Sequence, residues 1–314
     1  MKRYSIGVDL GGTKILAGIV EKETGKVLYE VKNKTKKEKG NEKIRGKILE
    51  TLDELLKISN IPAAEISSIG IGLAGQVDRK NGILINGINL DCKDFNVKEL
   101  IEKKYNIPLY AGNDVEVAAL GELKFGAGQG FKDIVCIFVG TGIGSSIIKD
   151  GKIHYGASGS AGEIGHIIVD LNGRACSCGA HGCLEAYASR SAIESRILGA
   201  VKKGRQSIIT EFTKTSSISS KHIKKSLDAR DEIVTQYVNE AIEYLSGGIA
   251  SVINFYNPEL IILGGGLIQS VDDFYLGTIK KARAKALPVP AKITQFKKAE
   301  LGDYSGVIGA SLLG

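Results

Sequence analysis

At 314 residues the chain exceeds one typical domain of about 100–200 residues, so two lobes with a cleft between them are expected. Hydrophobic residues at 43% and charged residues at 25% exclude a disordered or fibrous chain, and no apolar run approaches the ~20 residues a membrane helix needs. The formal charge of +7 admits an anionic partner, but its local excess (Lys32, Lys34, Lys36, Lys37, Lys39, Lys43, Arg45 and Lys47) is broken by Glu38 and Glu42 and has no interleaved aromatics, the pattern of a solvated loop and helix start.

The N-terminus enters a strand pattern at residues 3–10 without the apolar core of a signal peptide, so a cytoplasmic location is expected. A second strand is expected over 15–20. Glu23-Thr24-Gly25-Lys26 then turns the chain into a third, 27–31. Ile44, Ile48, Leu52, Leu55 and Leu56 recur at helical spacing over 42–58. A strand over 66–73 ends in Ala74-Gly75. A helix follows over 97–105, then a strand over 107–111 running into Asn113-Asp114, and a helix over 114–125. The theme then restarts, with a strand over 134–139, a glycine turn, and a strand over 145–148. The stretches VDLGGTKILAGIV and FVGTGIGSSIIKDG are both strand, glycine-rich turn, strand, which suggests a duplicated lobe. Residues 202–228 are rich in Lys and Ser and show no strong period before a helix near 229–254. A strand over 260–263 ends in Gly264-Gly265-Gly266. The tail, 304–314, reads as a short helix whose packing partner the pattern does not identify.

Three glycine turns are candidate nucleotide contacts. In Asp9-Leu10-Gly11-Gly12-Thr13-Lys14, glycines let backbone N–H groups approach a phosphate, Asp9 suits Mg²⁺ through water, and Thr13 or Lys14 can reach phosphate oxygens. The spacing is not that of a Walker loop. No helix follows, so it is not a dinucleotide fingerprint either. Gly140-Thr141-Gly142-Ile143-Gly144 is a second phosphate cradle. Gly264, Gly265 and Gly266, after a buried strand, suit close contact with adenosine. A plain tight turn is the alternative reading of the first and the third, and two phosphate turns, one per lobe, are more specific than either alone. Asn113 and Asp114, at a strand end and helix start, are either an N-cap or a cap beside a general base. A helix N-terminus favours the ionised carboxylate.

Cys176, Cys178 and Cys183 are three of the five cysteines within eight positions. Clustered thiols with a histidine favour a structural, four-ligand Zn²⁺. The fourth ligand is His166, in Glu163-Ile164-Gly165-His166, or His181 inside the loop. Cys92 and Cys136 have no cysteine or histidine close by in the sequence.

The segments DLGGTK, GLAGQVD, NDVEVAALGE, FVGTGIGSS, GEIGH, CSCGAHGCLEAYAS and LGGGLI, in this order over residues 5–312, resemble the ROK family of sugar kinases and regulators. The cysteine-rich segment fits the family's CxCGxxGCxE pattern at every fixed position. The resemblance implies an α/β actin-like, ribonuclease-H-like two-lobed fold. In it, 1–113 with 303–314 form a smaller lobe, 114–302 a larger one, and the terminal helix crosses back to the first. It implies Asp114 as catalytic base and a sugar-binding set of Gly75, Asn89, Asn113, Asp114, Glu163, His166 and Glu185. It implies phosphate contacts at Asp9–Lys14 and Gly140–Gly144, including Thr141 and Gly142, and adenosine contacts at Gly264–Gly266. It selects His166 over His181 to join Cys176, Cys178 and Cys183 on zinc. Where many members have Pro-Asn-Leu followed by Gly-Trp, this chain has Ile88-Asn89-Leu90-Asp91-Cys92, so the loop shaping the sugar pocket differs.

The expected activity is transfer of the ATP γ-phosphoryl group, with Mg²⁺, to a hexose, foremost glucose to glucose 6-phosphate. N-acetylmannosamine, fructose and allose are the alternative sugars, and polyphosphate the alternative donor. A non-catalytic sugar sensor or repressor is the competing class. With the first strand at about residue 3, no N-terminal helix-turn-helix module is expected, and hence no nucleic-acid partner. A homodimer or homotetramer is expected.

Overall fold

The computed structural model of the chain describes residues 2–35, 38–213 and 217–314, so Lys36 and Lys37 of the basic stretch lie outside the described residues. The chain divides into two compact units. One is Met1–Gly130 with Glu300–Gly314, the other Phe131–Ala299. Among the described residues no helix is long and apolar enough to cross a membrane.

The first unit is built on a five-stranded sheet with spatial order Val27–Lys34, Lys14–Glu21, Tyr4–Leu10, Ile66–Leu73, Leu109–Asn113. The first three strands are antiparallel hairpin partners, and the last two run parallel to Tyr4–Leu10. The second unit has the same arrangement, in the order Lys152–Ile153, Ile143–Lys149, Ile134–Val139, Leu260–Gly264, Gln295–Lys298. The weak repeat in the sequence is thus the opening hairpin of two like sheets. The short antiparallel sheet Gln76–Asp78, Ile83–Gly87, Cys92–Asn96 was not legible in the sequence.

Alternation along Tyr4–Leu10 explains the first core. Ile6, Val8 and Leu10 are fully buried in one cluster with Ile44, Ile48, Leu52 and Leu55 of the helix Asn41–Ser59, at the spacing read from the sequence. The other face carries Gly7, in register with Gly18 and Gly70 on the neighbouring strands. The terminal helix Ser305–Ser311 lies directly on these glycines. A Cβ on Gly7 would stand 1.8 Å from the Val307 carbonyl oxygen, and one on Gly70 1.8 Å from that of Ala310. The same helix meets Asp114–Phe125 at Gly309, where a Cβ would stand 1.5 Å from the Val117 carbonyl oxygen. Three backbones meet here because no side chain intervenes.

This packing moves a boundary. The helix Asp114–Phe125 was expected to open the larger lobe. It instead belongs to the first unit, held between the terminal helix and the strands Ile66–Leu73 and Leu109–Asn113. Residues 202–228, featureless in the sequence, contain the helices Ile209–Phe212 and Ser220–Asp228. The second core forms where the long helix Glu232–Tyr256 buries Ile233, Val234, Val238, Ile242, Leu245 and Ile249 in one cluster with Val135, Ile137, Ile261 and Leu263 of the sheet.

Candidate functional site

In the first unit the site is built at the carboxyl ends of the parallel strands, where α/β folds place ligands. Leu109–Asn113 ends at Asn113, whose Oδ1 accepts from the N–H of Val115 at 2.9 Å and of Glu116 at 3.3 Å, starting the helix Asp114–Phe125. Asn113 Nδ2 donates to the Gly75 carbonyl at 3.1 Å. Both Oδ1 lone pairs and one N–H are therefore committed, which leaves one side-chain N–H for a ligand. Gly75 is at φ +149°, and a Cβ there would meet the Asn86 carbonyl oxygen at 2.3 Å, so this contact requires glycine.

Asp114 follows at the first helical position, its Oδ1 accepting from the Val115 N–H at 3.0 Å. The sequence suggests that a helix N-terminus keeps this carboxylate readily ionised. Instead, desolvation pushes its pKa up to about 7, the Asp9 carboxylate adds to the rise, and the backbone bonds only partly offset it. Asp9 is itself raised to about 6 by desolvation, against the pull of Lys14. The two groups keep some solvent contact, yet the protein crowds them. A Cβ on Gly306 would lie 2.9 Å from the Asp9 carboxyl carbon.

The turn after Asp9 closes through the Gly11 N–H to the Lys14 carbonyl at 2.9 Å. Buried Thr35 donates its hydroxyl to the Gly11 carbonyl at 2.8 Å and its N–H to the Thr13 carbonyl at 3.0 Å. Thr13 is exposed. Lys14 pairs with Asp303 at 3.0 Å, and Lys32 with the same carboxylate at 3.1 Å. Asp303 carried no signal in the sequence, because its role exists only once the tail returns. Gly12 packs on Asn89, whose Cβ would stand 2.8 Å from a Cβ on the glycine. Asp9, Gly11, Gly12, Thr13, Lys14, Gly75, Asn89, Asn113 and Asp114 are thus set on one unit.

The second unit carries the other residues singled out in the sequence. In the turn Gly140–Gly144 the Gly140 N–H donates to the Gly142 carbonyl at 2.9 Å. Glu185 Oε2 accepts from the Ile143 N–H at 2.8 Å and would lie 2.3 Å from a Cβ on Gly142. The segment Glu163–His166 lies against the same turn, where a Cβ on Gly165 would meet the Ile143 carbonyl oxygen at 2.3 Å. Sequence reading assigned Glu185 to sugar and Gly142 to phosphate, and gave no hint that the two touch. Consequently a Gly142→Val change would displace Glu185, whereas a Cβ on Gly140 would meet nothing within 4 Å. On the sequence expectation of ATP phosphates at this turn and a hexose at Glu185, Gly140→Val should raise the KM for ATP several-fold with a small change in the hexose KM, and Gly142→Val should raise both. Steady-state kinetics on the two purified variants checks this.

His166, Cys176, Cys178 and Cys183 present one ligand atom each, all within 4.8 Å of one another. Cys178 and Cys183 sulfurs are 3.7 Å apart, and Cys176 Sγ lies 3.8 Å from His166 Nδ1. Two thiolates about 2.3 Å from a tetrahedral zinc stand roughly 3.8 Å apart, so the donors fit that ion. Burial among the other two sulfurs pushes the Cys183 thiol up to about 12. A divalent cation would relieve this crowding. His181 is exposed and pairs through its backbone with Ala175. Gly179 at φ +93° and Gly182 at φ +77° turn the loop, and a Cβ on Gly182 would meet the Asp170 carbonyl oxygen at 1.7 Å. Ser177 Oγ donates to Glu185 Oε1 at 3.3 Å, linking the cysteine loop to the glycine turn.

Packing explains two of the three glycines after Leu260–Leu263. A Cβ on Gly264 would strike the Phe138 ring at 2.7 Å, and one on Gly265, at φ +86°, the Val139 backbone at 2.5 Å. Gly266 is different, because its nearest neighbour would be Ser220 Oγ at 3.5 Å.

Residues 5–314 match the model of the ROK family. A glucokinase from Halalkalibacterium halodurans is 33% identical over 313 residues, covering 99% of this chain and 94% of that protein. Among solved structures, a ROK family glucokinase from Streptomyces griseus in complex with glucose and AMPPNP is 31% identical with a TM-score of 0.86, covering 98% of each chain. A ROK family transcriptional regulator, a homologue of the E. coli MLC protein, has the same TM-score of 0.86 at 28% identity, covering 100% of this chain and 78% of that one. Kinases and regulators thus share this architecture, and function has to be argued from the site.

Proposed function

The chain belongs to the ROK family of actin-like, two-lobed folds, and from that premise we propose that it is an ATP-dependent hexose kinase that phosphorylates glucose to glucose 6-phosphate. The observation that carries this reading is Asp114, a crowded carboxyl group with its pKa raised to about 7 beside the Asp9 carboxylate and its glycine turn. A base poised near the working pH is the most effective for taking a hydroxyl proton. Relatives described as glucokinases, covered by this chain to 94% and 95% of their length, support the same activity.

In the proposed reaction the hexose hydroxyl gives its proton to an Asp114 oxygen as its own oxygen bonds the γ-phosphorus and the bond to ADP breaks. Asn113, with its one remaining N–H, and Gly75, Asn89, Glu163, His166 and Glu185 hold the sugar. Carboxylates that accept from specific hydroxyls discriminate strongly against analogues lacking them. Asp9–Lys14 and Gly140–Gly144 take the phosphates, with Asp9 suited to hold Mg²⁺ through water. That ion, when bound, neutralises phosphate charge. Gly266 faces the adenosine.

The test is a panel of hexoses with Mg-ATP ranked by kcat/KM, repeated with polyphosphate as donor. Glucose with ATP is expected to rank first. A higher value for N-acetylmannosamine, fructose or allose would overturn the sugar assignment alone. No transfer to any hexose from either donor would overturn the kinase reading in favour of a sensor.

His166, Cys176, Cys178 and Cys183 would hold zinc in a closed set with no open position, so the ion would shape the loop and leave water unactivated. One Zn²⁺ per purified chain is expected. Cys178→Ala is expected to lose it and, through Ser177 and Glu185, to raise the hexose KM. Metal analysis beside the kinetics of that variant checks both. Full activity in metal-free protein would refute the structural role.

A further inference from the structure

The segment that reads as featureless in the sequence, just before the helix Ser220–Asp228, is fastened with unusual care. Ile218 has a fully buried side chain. Its N–H donates to Glu194 Oε1 at 2.7 Å, and its carbonyl accepts from Arg190 Nη1. Arg190 Nη1 also donates to Glu194 Oε2 at 2.8 Å, so a largely buried ion pair grips both polar groups of one peptide residue. Buried backbone groups need partners, and such a clamp could serve that end alone. Two further contacts say more. The N–H of the same Arg190 donates to the Gly140 carbonyl at 2.9 Å, at the head of the turn proposed to cradle phosphate. Two residues beyond Ile218, the Ser220 hydroxyl is the group that faces Gly266, the one glycine of Gly264–Gly266 that packing leaves open. Ser219 caps the helix through the His222 N–H at 3.2 Å, which fixes Ser220 in its first turn.

We propose that Arg190 and Glu194 are positioning residues for the nucleotide, holding the segment Ser217–Ser220 as a wall of the adenosine site whose Ser220 hydroxyl contacts the nucleoside. This rests on the kinase reading above. The clamp joins the phosphate turn to the wall opposite Gly266, so phosphate and nucleoside contacts keep a fixed spacing. Arg suits the task because the two N–H groups of Nη1, held in the guanidinium plane, meet a carboxylate and a carbonyl together, a fixed geometry that a flexible lysine ammonium only partly reproduces.

The experiment measures binding of Mg-AMPPNP by calorimetry, and steady-state kinetics with Mg-ATP and glucose, for wild type and for Arg190→Met, Arg190→Lys, Glu194→Gln and Ser220→Val. In Arg190→Met and Ser220→Val the KM for ATP and the Kd for AMPPNP are expected to rise about tenfold or more, with the glucose KM unchanged and kcat largely kept at saturating ATP. Glu194→Gln should show a smaller rise, and Arg190→Lys should recover part of the loss. A melting curve accompanies each variant. Ser220→Val leaves the clamp intact, so it reports on the wall even if Arg190→Met folds poorly. Lowered melting temperatures with nucleotide affinity unchanged in every folded variant would reduce the clamp to a structural brace. Absence of AMPPNP binding in the wild type would overturn the donor assignment itself, a distinct result.

Discussion

Asp114→Asn is expected to lower kcat by about 10²–10⁴-fold, the usual cost of a lost general base, while raising the melting temperature at pH 8. The two effects share one cause. Desolvation and the Asp9 carboxylate lift the Asp114 pKa from 3.8 to about 7. Between those values the folded chain binds a proton that the unfolded chain has released. Stability from this group therefore falls as pH rises from about 4 to 7, and above 7 the folded state carries the full cost of a buried, repelled charge. Asparagine keeps the size and removes the charge. It cannot take the hydroxyl proton. Hexose binding should remain near normal, since Asn113, Glu163 and Glu185 are untouched. In the wild type, kcat/KM should rise with pH along a limb centred near 7, because that parameter reports the free enzyme's base. A pure N-cap would behave differently. The capping side chain is Asn113, and Asp114→Asn would then leave kcat and its pH profile unchanged. A stable variant with wild-type kcat would remove Asp114 from the mechanism.

Glu122→Ala is expected to destabilise the fold by about 4 kcal/mol, near the upper end for a single substitution. The side chain is fully buried. Its two oxygens accept four donors: the N–H groups of Ala127 at 3.0 Å, Glu300 at 3.1 Å and Leu301 at 3.0 Å, and the Ser305 hydroxyl at 2.8 Å. Three of the four belong to the returning tail, so one carboxylate at the end of Asp114–Phe125 anchors the start of Ser305–Ser311. Alanine would remove this shared acceptor from the buried tail donors and open a cavity. Glu122→Gln keeps the volume and one carbonyl acceptor, so its loss should be smaller. Urea unfolding should show a lower midpoint for both, with Ala below Gln. An Ala variant within 1 kcal/mol of wild type would show that water or rearrangement satisfies the tail. Because the same tail brings Gly306 against Asp9 and Asp303 against Lys14, the Ala variant should also lose activity before it unfolds.

Local pattern carried a large part of this protein. The helix Asn41–Ser59 was visible because Ile44, Ile48, Leu52 and Leu55 repeat at 3.6 residues and all four are buried. The strands Tyr4–Leu10, Ile66–Leu73 and Ile134–Val139 were visible as short apolar runs stopped by glycine. The cysteine cluster was visible because three of its ligands lie within eight residues. These features depend on neighbours in the chain, and period and spacing record neighbours directly.

What the tertiary structure alone decided involves residues far apart in sequence. The tail's partner was unreadable because its binding surface is made of missing side chains. Gly7, Gly70 and Gly309 admit backbone against backbone, and a glycine in a strand does not announce what it makes room for. Glu122 looked like an ordinary helix residue until the tail supplied its donors. Spacing alone left both His166 and His181 as candidates, the family resemblance selected His166, and the fold carries His166 to the sulfurs while His181 is exposed. The helix N-terminus before Asp114 argued for ready ionisation. The opposing contribution, desolvation beside Asp9 from the first strand, comes from the sheet pairing that sets residues 9 and 114 near each other. Charge repulsion and lost hydration act through space, and a one-dimensional pattern has no measure of them.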